Sequence, residues 1–308
     1  MKRLIIDTDV GIDDAQAIMM ALAHLDTEVA AITAVNGNVA VDQVGRNIAK
    51  VLDVCHVDIP FYVGASSPLV SAHKSAAHVH SVDGLGDADV PESSRQPETE
   101  HAVHALLRLA NEAPGEYALL ALGPLTNIAL AIRLDPTFPQ KFREFVVMGG
   151  SVNARGNISM AAEFNVYADP EAAYITLDAF PMTTLVTWNT TLDHAVSWQW
   201  LDEWLRTDTP KGRFMAAISR KLLAFDRQQS YQSRGFPMPD PLAMGCILEP
   251  DIIRASESAY VTVELGGTHT RGQTLADWSN HTKRPVNTRI VTHIDMDAYL
   301  RLLLAAVE

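Results

Sequence analysis

The sequence predicts an open α/β fold: a mostly parallel central sheet with helices on both faces. Three observations predict it. Apolar strand-like runs alternate with helix-like runs over most of the 308 residues, the pattern of repeated crossover units. Carboxylate and amide residues gather just after the strand-like runs, at the edge of a parallel sheet where such folds bind ligands. No linker, repeat or break in composition divides the chain, so residues 1–308 read as one domain with helical and small β insertions.

Leu4, Ile5 and Ile6 make a first strand over residues 4–7, and the apolar run from Ala15 makes a helix over 13–24. A strand at 29–33 and a helix at 41–54 follow, then a short strand at 59–63 that stops at Gly64. Residues 66–97, rich in Ser, His, Gly and Asp, read as a long loop, and loops of that length are usually functional. Thr99 is placed to cap a helix over 99–112. A strand at 117–121 runs through Gly123-Pro124 into a helix at 125–133. A strand at 144–148 ends in Gly149-Gly150, and helix 170–179 leads to a strand at 183–187. Residues 198–231 read as helix-rich, with a second loop at 233–239. Asp240 is expected as the N-cap of a helix over 241–248, with Pro241 in its first position. Late strands are expected at 259–265 and 289–292, before a terminal helix at 295–307.

Charge and cysteine use exclude several classes. A net charge of −13 argues against a nucleic-acid partner, which needs clustered Lys and Arg. Cys55 and Cys246 form neither a disulfide framework nor a zinc spacing, and are expected as small buried hydrophobes. Met1-Lys2-Arg3 leads straight into a strand, and no apolar run reaches membrane-spanning length. A cytoplasmic protein with no membrane partner is therefore expected.

The densest chemistry is Asp7-Thr8-Asp9-Val10-Gly11-Ile12-Asp13-Asp14, four aspartates in eight residues between a strand and a helix. Acidic residues in a first helical turn are ordinary dipole partners. Four around one glycine repel one another, and a hard divalent cation is the natural counter-charge. Asp240, far along the chain, is a second anchor for such an ion. Thr126, in Gly123-Pro124-Leu125-Thr126-Asn127, has a carbonyl or hydroxyl oxygen to offer. Asn38, Asn157, Glu163 and Asn165 carry groups that suit the vicinal hydroxyls of a sugar. Trp188 and Phe236 fall where they can stack a planar ligand. His73, His78 and His80 are too irregularly spaced for a zinc site, but His80 is a candidate contact to a base.

These residues resemble a known family. The run from Asp7 to Asp14 resembles the DxDxGxDD signature of the inosine-uridine-preferring nucleoside hydrolases. The likeness continues, in the family's order, through Asn36-Gly37-Asn38, Gly123-Pro124-Leu125-Thr126-Asn127, Val147-Met148-Gly149-Gly150 and Gly156-Asn157. It ends with Ala162-Glu163-Phe164-Asn165, Asp169-Pro170-Glu171-Ala172 and Asp240-Pro241. The resemblance implies calcium-dependent hydrolysis of the N-glycosidic bond of ribonucleosides, giving ribose and free base. It implies Ca2+ ligands at Asp9, Asp14, the Thr126 carbonyl and Asp240, with Asp9 as general base for the attacking water. It implies ribose contacts at Asp13, Asn38, Met148, Asn157, Glu163, Asn165 and Asp240. It also implies a homo-oligomer, dimer or tetramer.

The sequence departs from the family pattern at two places. Many relatives carry a His or Trp just before the last metal-binding Asp, the His being a proposed acid for the leaving base. This chain has Pro239, which has no proton to give. The remaining candidates around the base are His80, Trp188, Arg227, Tyr231 and Arg234. The second departure is Trp188-Asn189, where relatives more often show a smaller apolar residue and an Asp. Two other readings compete: a nucleoside or sugar binding protein without turnover, and a phosphatase of the haloacid-dehalogenase type with Asp7 as nucleophile.

Overall fold

The computed structural model describes residues 1–72, 75–227 and 235–308. In chain order its strands are β1 (Lys2–Thr8), β2 (Thr27–Ala34), β3 (Phe61–Val63), β4 (Tyr117–Ala121), β5 (Glu144–Met148), β6 (Thr183–Val186), β7 (Ile253–Ala259), β8 (Val261–Val263), β9 (Thr274–Ala276) and β10 (Thr288–Ile294). Eight of them form one sheet in the order β3-β2-β1-β4-β5-β6-β10-β7, and β8 pairs with β9 in a small hairpin. All pairings in the large sheet are parallel except β10 with β7.

The chain builds outward from β1 to β2 and β3, then returns to lay β4 on the other side of β1. The strand order therefore reverses between β1 and β4. Loops leaving these two strands diverge to opposite faces and open a crevice, the usual ligand site of such sheets.

The helices are α1 (Ile12–Ala23), α2 (Val41–Cys55), α3 (Ala77–His80), α4 (Ala102–Glu112), α5 (Thr126–Leu134), α6 (Phe164–Ala168), α7 (Pro170–Ala179), α8 (Trp188–Asp193), α9 (Trp198–Trp204), α10 (Pro210–Asp226), α11 (Pro239–Leu248) and α12 (Met296–Ala305). Alternation along β1 divides the core. Leu4 and Ile6 face a layer that includes Ile18 of α1, Ile48 of α2, Ile218 of α10, Leu242 of α11 and Leu303 of α12. Ile5 faces the opposite layer, with Leu106 of α4, Ile128 of α5 and Leu177 of α7. Side chains that alternate between two apolar layers are what a two-sided parallel sheet requires. None of the described helices is long and apolar enough to cross a membrane.

α11 is apolar all round, and residues Asp240 to Leu248 are buried without exception. It lies against α1 and the central strands. A helix of that kind belongs inside a domain rather than on its surface.

Several expected boundaries are corrected. α4 starts at Ala102 and is capped by His101, whose ring accepts the Val103 N–H, so Thr99 is not the cap. α11 starts at Pro239 with Met238 as its cap, which puts Asp240 inside the first turn. The expected strand 259–265 is two elements, β7 ending at Ala259 and β8 beginning at Val261. β7 and α6 were not expected at all. Cys246 is buried as expected, whereas Cys55 is half-buried.

Candidate active site

Asp7 and Asp9 leave β1 in different directions. The Asp7 carboxylate accepts the Thr33 hydroxyl at 2.6 Å and the Asn127 amide at 2.8 Å. Asn127 also donates to the Ala34 carbonyl at 3.0 Å and accepts the Ala65 N–H at 2.8 Å. This buried cluster ties together the ends of β1, β2, β3 and β4. Burial pushes Asp7 up to about 7, against the pull of Asn127 and Thr33. Both bonds fall on Oδ1, while Oδ2 is buried without a partner, and Asp7 is not among the residues that line the cavity described below, which goes against the phosphatase reading in which it is the nucleophile.

Asp9 is buried just beyond the end of β1. Its Oδ2 accepts the Asn38 N–H at 2.7 Å. A Cβ at Gly37 would lie 1.9 Å from Oδ2, and one at Gly123 would lie 2.7 Å from Oδ1. Glycine at these two turns lets the loops after β2 and β4 close on either side of the carboxylate. Oδ1 is buried and has no hydrogen-bond partner.

Asp14, in the first turn of α1, is held by the Gly11 N–H at 2.9 Å, the Asn38 amide at 3.3 Å and the Thr8 hydroxyl. Asp13, Asp14 and Asp240 each bring one carboxylate oxygen within 4.8 Å of the others. Burial, then the neighbouring Asp14, Asp13 and Asp9 carboxylates, raise Asp240 well above the ordinary range. Burial, then Asp14, do the same to Asp9. Burial pushes Asp13 up to about 6, and Asp13 Oδ1 also lacks a partner. Buried like charges with orphaned oxygens are costly alone and fit a hard oxygen-seeking cation.

Thr126 is buried at the start of α5. Its hydroxyl donates to Asp169 Oδ2 at 2.7 Å. Asp169 in turn caps α7 by accepting the Ala172 N–H at 3.1 Å. The hydroxyl proton of Thr126 is therefore engaged with Asp169.

Beside the carboxylates opens a cavity of about 160 Å³. Asp13, Asn38, Met148, Asn157, Glu163, Asn165 and Asp240, the expected ribose contacts, all line it. Glu163 caps α6 by accepting the Asn165 N–H at 2.9 Å and the Val166 N–H at 3.3 Å, and it accepts the Gly150 N–H at 2.7 Å. Asn165 donates to the Leu122 carbonyl at 2.6 Å, and Asn157 accepts the Phe164 N–H at 2.9 Å. These polar side chains are locked before any ligand arrives, which favours pre-organised binding.

The rest of the wall is largely apolar. Trp188, at the start of α8, and Phe236 both line it, as does Pro239. His80 lines it too, and its Nδ1 accepts the Ile12 N–H at 3.2 Å. Arg227 does not belong here. It is exposed, pairs with Asp202 and stacks on the Trp198 ring at 4.6 Å. The residue before it, Asp226, is the one that lines the cavity. The sequence held a signal for this: Asp226 follows the buried Leu222 by four residues, hence on the same helix face. Tyr231, Arg234 and His73 lie outside the described residues, and so does the side chain of His78.

Comparison with known proteins agrees with this geometry. The model of the inosine-uridine preferring nucleoside hydrolase family matches residues 4–301. The inosine-uridine preferring nucleoside hydrolase of Crithidia fasciculata is 32% identical over 310 residues, covering 100% of this chain and 98% of that protein. Uridine nucleosidase 1 of Arabidopsis thaliana is 36% identical over 281 residues, 90% of this chain and 82% of that protein. A solved structure of an inosine-guanosine nucleoside hydrolase superposes with a TM-score of 0.90 at 36% identity, covering 99% of this chain and 98% of that one. The chain belongs to the inosine-uridine preferring nucleoside hydrolase family and is a ribonucleoside N-glycosidase.

Proposed function

We propose that the enzyme hydrolyses ribonucleosides with a Ca2+ ion held by Asp9, Asp14, Asp240 and the Thr126 carbonyl, and with Asp9 as the general base. One observation carries this reading: carboxylate oxygens of Asp13, Asp14 and Asp240, from both ends of the chain, lie within 4.8 Å of one another, Asp13 and Asp240 line the cavity, and Asp9 and Asp13 each keep a buried oxygen without a partner. When bound, a cation of this class gathers water and sugar hydroxyls and lowers the pKa of the water.

The protein's own residues do the rest. Asp13, Asn38, Asn157, Glu163 and Asn165 orient the pentose over Asp9. Breaking the ribosyl bond builds positive charge on the sugar, and an acidic, pre-set pocket stabilises that charge more than it stabilises the neutral substrate. Asp9, fixed by Asn38 and by the two glycine turns, accepts the proton of the attacking water. Trp188 and Phe236 supply flat surfaces for the base. On the same reading the enzyme is a homo-oligomer, which analytical ultracentrifugation decides.

The test is release of free ribose from a panel of purine, pyrimidine and modified nucleosides by calcium-loaded protein. The expected result is ribose from at least one ordinary nucleoside and its loss on chelation. No ribose from any member removes the reading.

A further inference from the structure

We infer that Asp226 is the acid that protonates the departing base, an assignment that rests on the reaction proposed above. Pro239 lines the cavity, and a proline has no proton to donate. His80 is engaged elsewhere: its Nδ1 accepts the Ile12 N–H at 3.2 Å and lies 3.8 Å from Asp13 Oδ1. Arg227 points away to Asp202 and Trp198.

Asp226 meets the requirement by position. It is the last residue of α10, it lines the cavity, and it is 8% exposed. Among the described residues its carboxyl has no hydrogen-bond or ion-pair partner. The cations nearest it in sequence are engaged elsewhere, Lys221 with Asp87 and Arg227 with Asp202. Apolar Leu222, Val79 and Phe236 also line the cavity, and among the described residues Asp13, His80, Glu163 and Asp240 are the other titratable groups on it. A carboxyl so buried and unpaired favours the protonated form. Burial, and then the Asp13 carboxylate, push Asp226 up to about 6. An acid near neutrality in an apolar pocket is what leaving-group protonation needs.

The step balances as follows. The bond from C1′ to the base nitrogen breaks, and its electron pair passes to the base. The Asp226 proton moves to a ring nitrogen or carbonyl oxygen of the base, leaving a carboxylate. Water adds to C1′ and gives a proton to Asp9. Ribose and neutral base leave, and proton exchange with solvent returns both carboxyl groups to their starting states.

Nitrophenyl riboside tests this, because nitrophenolate leaves without a proton. Asp226→Asn is compared with wild type on inosine, uridine and nitrophenyl riboside. The expected loss of kcat/KM is at least about 100-fold greater for the nucleosides, the usual scale of general acid catalysis. Equal loss on all three, or loss on none, overturns the assignment. Asp226→Glu keeps the acid but shifts it, so the same selective loss appears on a smaller scale, and an equal change for every substrate overturns the assignment there too. The wild-type arm separates the two claims. Enzyme that cleaves none of the three sinks the proposed function, whereas enzyme that cleaves nitrophenyl riboside alone shows that no working acid is present.

Discussion

The Asn38 backbone N–H holds Oδ2 of Asp9 at 2.7 Å, and Asp9 Oδ1 is left buried without a partner. One oxygen is fixed by the protein and the other is left open, as the proposed role of Asp9 as general base requires. Asp9→Ala is expected to lower kcat by at least about 10³-fold, since it removes the proton acceptor and an ion ligand together. The metal-free variant is expected to melt no lower than metal-free wild type, because a buried like charge is gone. Ribose-release kinetics and thermal melting check both. Turnover retained in the variant would show that another group is the base.

Gly37→Ala acts on the same residue from outside. Its Cβ would fall 1.9 Å from Asp9 Oδ2, so the carboxylate or the loop must move. A cost of about 1–3 kcal/mol is expected, as for other overpacked sites. Calcium affinity and kcat should fall together in isothermal titration and steady-state assays. An unchanged calcium affinity would contradict the placement of Asp9 at the ion.

The metal-free protein is expected to lose stability as pH rises. Asp13 is raised to about 6 and Asp7 to about 7 from an ordinary 3.8. The folded state thus holds protons that the unfolded state gives up. Stability from these groups is full below the unfolded value and declines as pH climbs through about 4 to 7. Calcium offsets the Asp13 part by replacing the proton, while the Asp7 part, in its scaffold, remains. Melting curves across this range should fall more steeply in chelator than in calcium, and parallel curves would refute the coupling. Calcium at a hundred times its Kd should itself add about 2.7 kcal/mol.

Pro239→His places a proton donor on the cavity wall. It should alter the ranking of nucleosides by kcat/KM more than it alters inhibition by free ribose. Equal changes for every nucleoside would mean that position 239 does not meet the base.

Much of this was legible before any coordinates. Asp9, Gly11 and Asp14 sit in a local signature that marks the end of the first strand, and the parallel order follows from alternating runs. What was missed depends on distant partners. β7 reads Arg-Ala-Ser-Glu-Ser at its centre, a charged edge strand defined by pairing with β10 rather than by its own pattern. α6 is five residues long and is set by the Glu163 cap. Asp226 and Arg227 differ by one position, which on a helix rotates a side chain from the cavity to solvent. Asp240 lines the cavity but sits two positions further into the helix than expected, because Pro239 rather than Pro241 begins it.

α11 is the only carrier of Asp240 and comes late in synthesis, long after β1 and α1 have emerged. Until it docks against α1, the acidic nest has no fourth wall and nothing to close over an ion. On the proposed metal site, capture of an ion would therefore require the chain to have folded through α11, and a product stopping short of α11 would lack one of the carboxylates that meet there.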